Sequence, residues 1–118
     1  MYFTEKEENV VNLLVEIGIK KNVAKVLVFL ANSSEATSHA IERGTDLRQP
    51  EVSLAMRYLI DQGWITSRES KAENKGRPVK IYNLAKPITE IMNDIEKKEM
   101  KEATNQIVMI KKLRDYLH

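Results

Sequence analysis

Residues 37–65 read TSHAIERGTDLRQPEVSLAMRYLIDQGWI, two short helical patterns separated by a polar turn and closed by a glycine. Thr37 or Ser38 supplies an N-cap hydroxyl, and Ala40 and Ile41 give about two helical turns their apolar side before Gly44 ends them. After the turn GTDL, Pro50 suits a first helical position, where a backbone N–H has no intrahelical partner to lose. Val52, Ala55, Met56, Leu59 and Ile60 then recur at i, i+3, i+4, i+7 and i+8, which predicts an inward stripe. Gly63 takes the C′ position that terminates this second helix.

Working downstream, WITSRES (64–70) and PVKIYNL (78–84) have the composition of strands, and the polar, basic segment KAENKGR (71–77) joins them into a predicted hairpin. Gly76 permits the positive φ that a tight bend needs, and Pro78 fixes the chain as it re-enters the second strand. Val79, Ile81 and Asn83 alternate with Lys80, Tyr82 and Leu84, so neither face is cleanly polar and the packing side stays open. Trp64 and Ile65 are expected to anchor the base of the hairpin. From Pro87 onward the pattern is one long helix or two in line, carrying Ile88, Ile91, Met92 and Ile95, then Met100, Ala103, Ile107, Ile110, Leu113 and Leu117. A continuous helix over 88–118 spans roughly 45 Å, longer than a small domain needs for its own core, so part of its stripe calls for a partner.

Upstream, Thr4 and Glu7 form a capping box, and Val10, Leu13, Leu14 and Ile17 predict the buried face of a helix that Gly18 stops. Between Lys20 and Asn32 apolar residues occupy most faces, with Val23, Val26, Leu27 and Leu30 as the main stripe and Val28, Phe29 and Ala31 on its flanks. Such a helix belongs at the centre of the domain. NSSEATS (32–38) reads as a loop.

At 118 residues the chain has material for one modest core, and no internal repeat or low-complexity tract divides it. The absence of cysteine excludes a disulfide framework and any thiolate metal site. The opening MYFTEKEENV is acidic where a secretory leader is basic, and VLVFLA, the longest apolar run, falls far short of the roughly 20 residues of a membrane span. A cytoplasmic protein without membrane contact is expected. Net charge is only +2, but it is unevenly placed: residues 43–86 hold nine Lys/Arg against five Asp/Glu, whereas 1–42 are net acidic and 87–118 are balanced. Arg43, Arg48, Arg57, Arg68, Lys71, Lys75, Arg77, Lys80 and Lys86 make up that excess, the footprint of a phosphate-facing surface.

Catalysis finds no support in the sequence. Nucleophile and base pairs, metal-ligand clusters and phosphate-binding loops are all missing at usable spacing, so no cofactor and no metal is expected. His39 lies on a short polar helix and His118 is the last residue, both suited to solvent. The carboxylates are scattered at helix-surface spacing, as in the i, i+4 pair Asp94 and Lys98.

The order helix, short turn, helix ending in glycine, and hairpin with a basic tip resembles winged helix-turn-helix transcription regulators of the MarR and ArsR type, especially the small archaeal members. TSHAIERGTDLRQPEVSLAMRYLIDQGWI and GRPVKIYNL carry the resemblance, which covers about residues 20–86. It implies a mainly α fold with a small β-hairpin, in which residues 1–86 form the DNA-binding winged-helix domain and 87–118 a long C-terminal dimerisation helix. The N-terminal helix 4–18 would join the dimer interface. It further implies a transcriptional regulator, a repressor in the commoner case, that binds double-stranded DNA as a homodimer. Helix 37–44 becomes the supporting helix, helix 49–62 the recognition helix in the major groove, and the wing 71–78 a contact to minor groove or backbone.

Carried over to this chain, the DNA-binding set is Ser38, Arg48, Gln49, Pro50, Ser53, Arg57, Arg68, Lys75, Arg77 and Lys80. The dimerisation set is Ile88, Ile91, Ile95, Met100, Ala103, Ile107, Ile110 and Leu117. Three features depart from the pattern. Leu54 stands where many such regulators place a polar or basic residue, the segment from Gly44 to Val52 is longer than the tight bacterial helix-turn-helix spacing, and the cysteine metal motif of ArsR sensors is absent. Nothing in the sequence identifies a small-molecule effector. A second reading, a winged-helix protein-interaction module or general transcription factor subunit that does not read DNA, predicts neutral or acidic surfaces on the same two elements.

Overall fold

In the computed structural model, which describes residues 3–70 and 78–118, Thr4 opens helix α1 (Glu5–Glu16) with the expected reciprocal cap. The Thr4 N–H donates to Glu7 Oε1 (2.8 Å) and the Glu7 N–H to Thr4 Oγ1 (3.2 Å). The buried face is rotated from the expected one. Val11 and Leu14 pack inward against α2 (Lys21–Ala31), while Val10, Leu13 and Ile17 remain exposed, Leu13 by 61%. Apolar residues occupy both sides of α1, and the position of α2 rather than the sequence period selects which side is covered.

Helix α2 is central as predicted. Val23, Ala24, Val26, Leu27, Val28 and Leu30 are buried, and α1, α3 (Ser38–Thr45), α4 (Gln49–Asp61) and the second strand all pack on it. Thr37 caps α3 by accepting from the Ala40 N–H at 3.2 Å. Gly44, expected to end this helix, lies inside it instead. A Cβ there would stand 2.0 Å from Phe29 Cε1, so the glycine serves close packing between α2 and α3. The helix runs on to Thr45, whose hydroxyl donates to the Ile41 carbonyl (2.6 Å), and terminates on Asp46 in the left-handed region at φ 60°.

Pro50 sits in the first turn of α4, where the Arg48 N–H donates to Glu51 Oε1 (2.8 Å). Val52, Ala55, Met56 and Leu59 face inward as expected, but Ile60 is 41% exposed, on the rim of the stripe rather than within it. Gly63, at φ 79°, lets the chain reverse: its N–H reaches the Ile60 carbonyl and the Trp64 N–H reaches that of Leu59. Trp64 is thereby driven into the core, edge-on to Tyr58 at 6.2 Å between ring centroids.

Strands β1 (Ile65–Ser70) and β2 (Val79–Leu84) form the antiparallel hairpin, paired from Ile65 with Leu84 to Ser70 with Val79. A third segment joins them. Ala36, in the loop before α3, exchanges two backbone hydrogen bonds with Tyr82, at 2.9 and 2.8 Å. Helix α5 (Ile88–Tyr116) is a single continuous helix of 29 residues. At 1.5 Å per residue it is about 44 Å long. The chain divides into two compact units, Met1–Lys86 and Pro87–His118. The first, three packed helices ahead of a bridged hairpin with α1 alongside, is a winged helix-turn-helix fold.

Alanine is the better helix former by about 1 kcal/mol, whereas overpacking a core contact costs about 1–3 kcal/mol. Steric conflict with the Phe29 ring should win at Gly44. Gly44→Ala is expected to lower the unfolding free energy in urea by roughly 1–2 kcal/mol, and to lower it less in a Phe29→Leu background. Stabilisation by Gly44→Ala in the otherwise native chain would refute the packing account.

Candidate nucleic-acid interface

The outward face of α4 follows from the four residues it buries. At 100° per residue, the line opposite Val52, Ala55, Met56 and Leu59 runs through Pro50, Leu54, Arg57 and Asp61. Gln49 and Ser53 flank it on one side. Arg48, Gln49, Pro50, Ser53 and Arg57, all in the expected DNA-binding set, are exposed on this single element or its cap. Ser38 lies half-buried in the first turn of α3.

Two of these side chains are already linked. Gln49 Nε2 donates to Ser53 Oγ at 2.8 Å, which holds the Gln49 amide along the helix surface. A primary amide has two N–H groups and a carbonyl oxygen, so one donor and the acceptor are left for a second partner. Arg48 and Arg57 form no ion pair among the described residues.

The hairpin differs. Arg68, exposed on β1, forms a salt bridge with Glu35 in the loop ahead of α3, and Lys80, exposed on β2, stands opposite Glu69 in the register. Each described cation of the hairpin thus has a carboxylate as a neighbour. Lys75 and Arg77, together with the rest of the expected wing tip, lie outside the described residues.

Sequence counting passed over Lys20 and Lys21, because they belong to a net acidic segment. Both are exposed at the start of α2, and they line a groove of about 390 Å³ together with Val23, Glu51, Leu54, Ala55 and Tyr58. Neither has an ion-pair partner among the described residues. Packing of α2 on α4 puts these cations beside the outward face of α4, and no one-dimensional signal marks that proximity.

Of the expected dimerisation set, Ile91 (0% exposed) and Ile95 (3%) are buried, and Ile88 is half-buried. The open apolar surface of α5 runs instead from Met100 through Ala103, Ile107 and Ile110 to Leu117, with Val108, Met109 and Leu113 also exposed. On α1 the exposed residues Val10, Leu13 and Ile17 form a second, shorter stripe. Among the described residues no helix is long and apolar enough to cross a membrane, and no cluster of three or more His, Cys, Asp or Glu side chains could hold a metal ion.

No family model matches the sequence, and no curated protein is similar to it. Solved structures are. A possible transcriptional regulator from Methanosarcina mazei superposes over 92% of this chain and 86% of its own with a TM-score of 0.65 at 16% identity. A transcriptional regulator homologue from Pyrococcus horikoshii covers 86% of this chain and 97% of its own, with a TM-score of 0.54 at 15% identity. A MarR family regulator from Neisseria meningitidis covers 93% and 84%, with a TM-score of 0.52 at 20% identity. Likeness at such identities is likeness of fold, and the shared fold is the winged helix-turn-helix.

Both side chains of the Arg68–Glu35 pair are about half exposed, so solvent screens them. A double-mutant cycle of Glu35→Gln with Arg68→Gln, read by urea unfolding, should give a coupling below about 1 kcal/mol. A larger coupling would make the pair a structural clamp between the hairpin and the loop ahead of α3.

Proposed function

We propose that this chain is a sequence-specific double-stranded DNA-binding transcriptional regulator of the MarR type. It works as a homodimer in the cytoplasm, has no catalytic activity, and represses by occupying sites that polymerase or an activator needs. The observation that carries this reading is the outward face of α4. It offers exposed Arg48, Gln49, Ser53 and Arg57 on one element of a winged-helix frame, with the two arginines unpaired among the described residues. Similar structures named as transcriptional regulators, from archaea and bacteria, support it.

In this reading α4 enters the major groove. Gln49, its amide oriented by Ser53, presents the remaining N–H and the carbonyl oxygen to adenine N7 and N6. Arg57, two turns further along, takes guanine O6 and N7 or a phosphate, and Arg48 and Ser53 meet the backbone. Lys20 and Lys21 add phosphate contacts that bear no sequence information. Arg68, Lys80, Lys75 and Arg77 are the wing's share of the contacts, on the minor groove or along the backbone. The exposed apolar length of α5 supports homodimerisation, and so do the exposed Val10, Leu13 and Ile17 of α1. Two recognition helices would then meet successive major grooves.

The carboxylates beside Arg68 and Lys80, and the exposed Leu54, favour the second reading, a protein-interaction module. Fluorescence anisotropy of DNA duplexes at several salt concentrations separates the two. Binding should weaken steeply with salt, and Arg57→Ala should cost about 1–3 kcal/mol if the side chain reads a base. Lys20→Ala and Lys21→Ala should each lower the logarithmic salt slope by about 0.9 with little change in sequence preference. Absence of binding at low salt would leave the interaction module as the function. For the dimer, Ile107→Asp with Ile110→Asp introduces charge only on exposed positions, so light scattering should report a folded monomer; an unchanged dimer would place the interface elsewhere.

A further inference from the structure

Leu54 is 66% exposed at the middle of the outward line of α4, between Pro50 one turn before it and Arg57 one turn after. A lone solvated leucine is ordinary on a protein surface. This one occupies the outermost line of the helix that the proposed function places in DNA, and Lys20 and Lys21, which share a groove with it and with Glu51, form no ion pair among the described residues.

A helix of about 10–12 Å diameter fills a major groove about 12 Å wide, so the line opposite its buried face meets the groove floor while its flanks meet the walls. On that floor the base-edge groups are hydrogen-bond donors or acceptors, apart from the C5-methyl of thymine and the much smaller C5–H of cytosine. A leucine pressed against a donor or acceptor strips it of water and returns no hydrogen bond, which is unfavourable. Against a methyl group it buries apolar surface on both sides. Cations flanking the groove would hold the neighbouring phosphates and keep the leucine at the floor.

We propose that Leu54 is a specificity-determining residue of this chain, selecting a thymine through its C5-methyl group. The inference rests on the reading that α4 binds in the major groove. It makes the departure from a polar residue at this position a source of specificity rather than a loss of contact.

The test uses the full-length protein to enrich duplexes from a random DNA library. The enriched duplex is then rebuilt with each thymine in turn replaced by deoxyuridine, which deletes only the methyl group. One such replacement should weaken wild-type binding about fourfold in anisotropy titrations, the equivalent of one buried methyl group. The same replacement should leave the affinity of Leu54→Ala unchanged, and Leu54→Ala should bind the parent duplex at least about fourfold more weakly than wild type. Deoxyuridine effects that are equal in the two proteins, or absent in both, overturn the role of Leu54 while leaving sequence-specific binding in place. So does an enriched duplex without a thymine common to the selected sequences. Failure of the wild-type protein to enrich any duplex overturns the reading of α4 itself, and the assignment of Leu54 with it.

Discussion

Burial of α2 on nearly every side is the constraint on which the first unit depends. Val26, Leu27 and Leu30 are wholly enclosed, and α1, α3, α4 and β2 each take a part of its surface. Local signals do little to make this helix. Its N-cap is Lys20, which supplies no side-chain hydrogen bond, and Lys21 adds a second cation at the positive end of the helix dipole. Such placement is unfavourable by about 0.3–1 kcal/mol per charge, whereas each large apolar side chain that α2 buries contributes about 1.5–3 kcal/mol. Packing therefore outweighs capping. The two lysines are left on the surface next to α4, where a helix chosen for its own stability would carry aspartate or serine.

Where a sequence feature acts within one turn of chain, it was legible. Thr4 with Glu7, Pro50 at the start of α4 and Gly63 at its end each work through hydrogen bonds to the nearest few residues, and each does what its chemistry implies. Where the cause is a neighbour distant in sequence, the reading failed. Gly44 has the composition of a terminator, but the ring that demands a glycine there belongs to Phe29, fifteen positions earlier. Asp46 ends α3 in its place. Val10, Leu13 and Ile17 keep helical spacing as well as Val11 and Leu14 do, and only the position of α2 decides between the two faces. Ala36 joins the hairpin through a single pair of backbone bonds, which no side-chain pattern could announce.

The candidate site repeats this division. Gln49, Ser53 and Arg57 follow directly from helical period, since they lie off the buried stripe of a helix whose limits were clear. Charge was harder to read. A count along the chain assigns the same weight to every arginine, yet Arg68 spends its charge on Glu35 and Lys80 faces Glu69, while Arg48 and Arg57 are unpaired among the described residues. Of the described elements in 43–86, α4 thus contributes more of the unpaired positive charge than the hairpin does. Lys20 and Lys21 add to the same surface from a segment whose own net charge is negative.

Two physically different kinds of exposed apolar surface occur among the described residues. On α5, Ile107, Val108, Met109 and Ile110 are consecutive and all exposed, and Leu113, Tyr116 and Leu117 extend the surface to the end of the helix. Consecutive residues point around the helix, so this is a sleeve of hydrocarbon rather than one stripe, and a contiguous surface of that kind marks a site of association. Leu54 is the opposite case, one exposed side chain at the edge of a small groove that it shares with Val23, Ala55 and Tyr58 and with the charged Lys20, Lys21 and Glu51, with too little area to hold a protein partner by itself. Its exposed area suits contact with a small apolar group rather than an interface. Area therefore suits the sleeve to a polypeptide, as the proposed homodimer requires, and the single leucine to a small apolar feature set in a polar surface, as the proposed thymine methyl would be on the floor of the major groove.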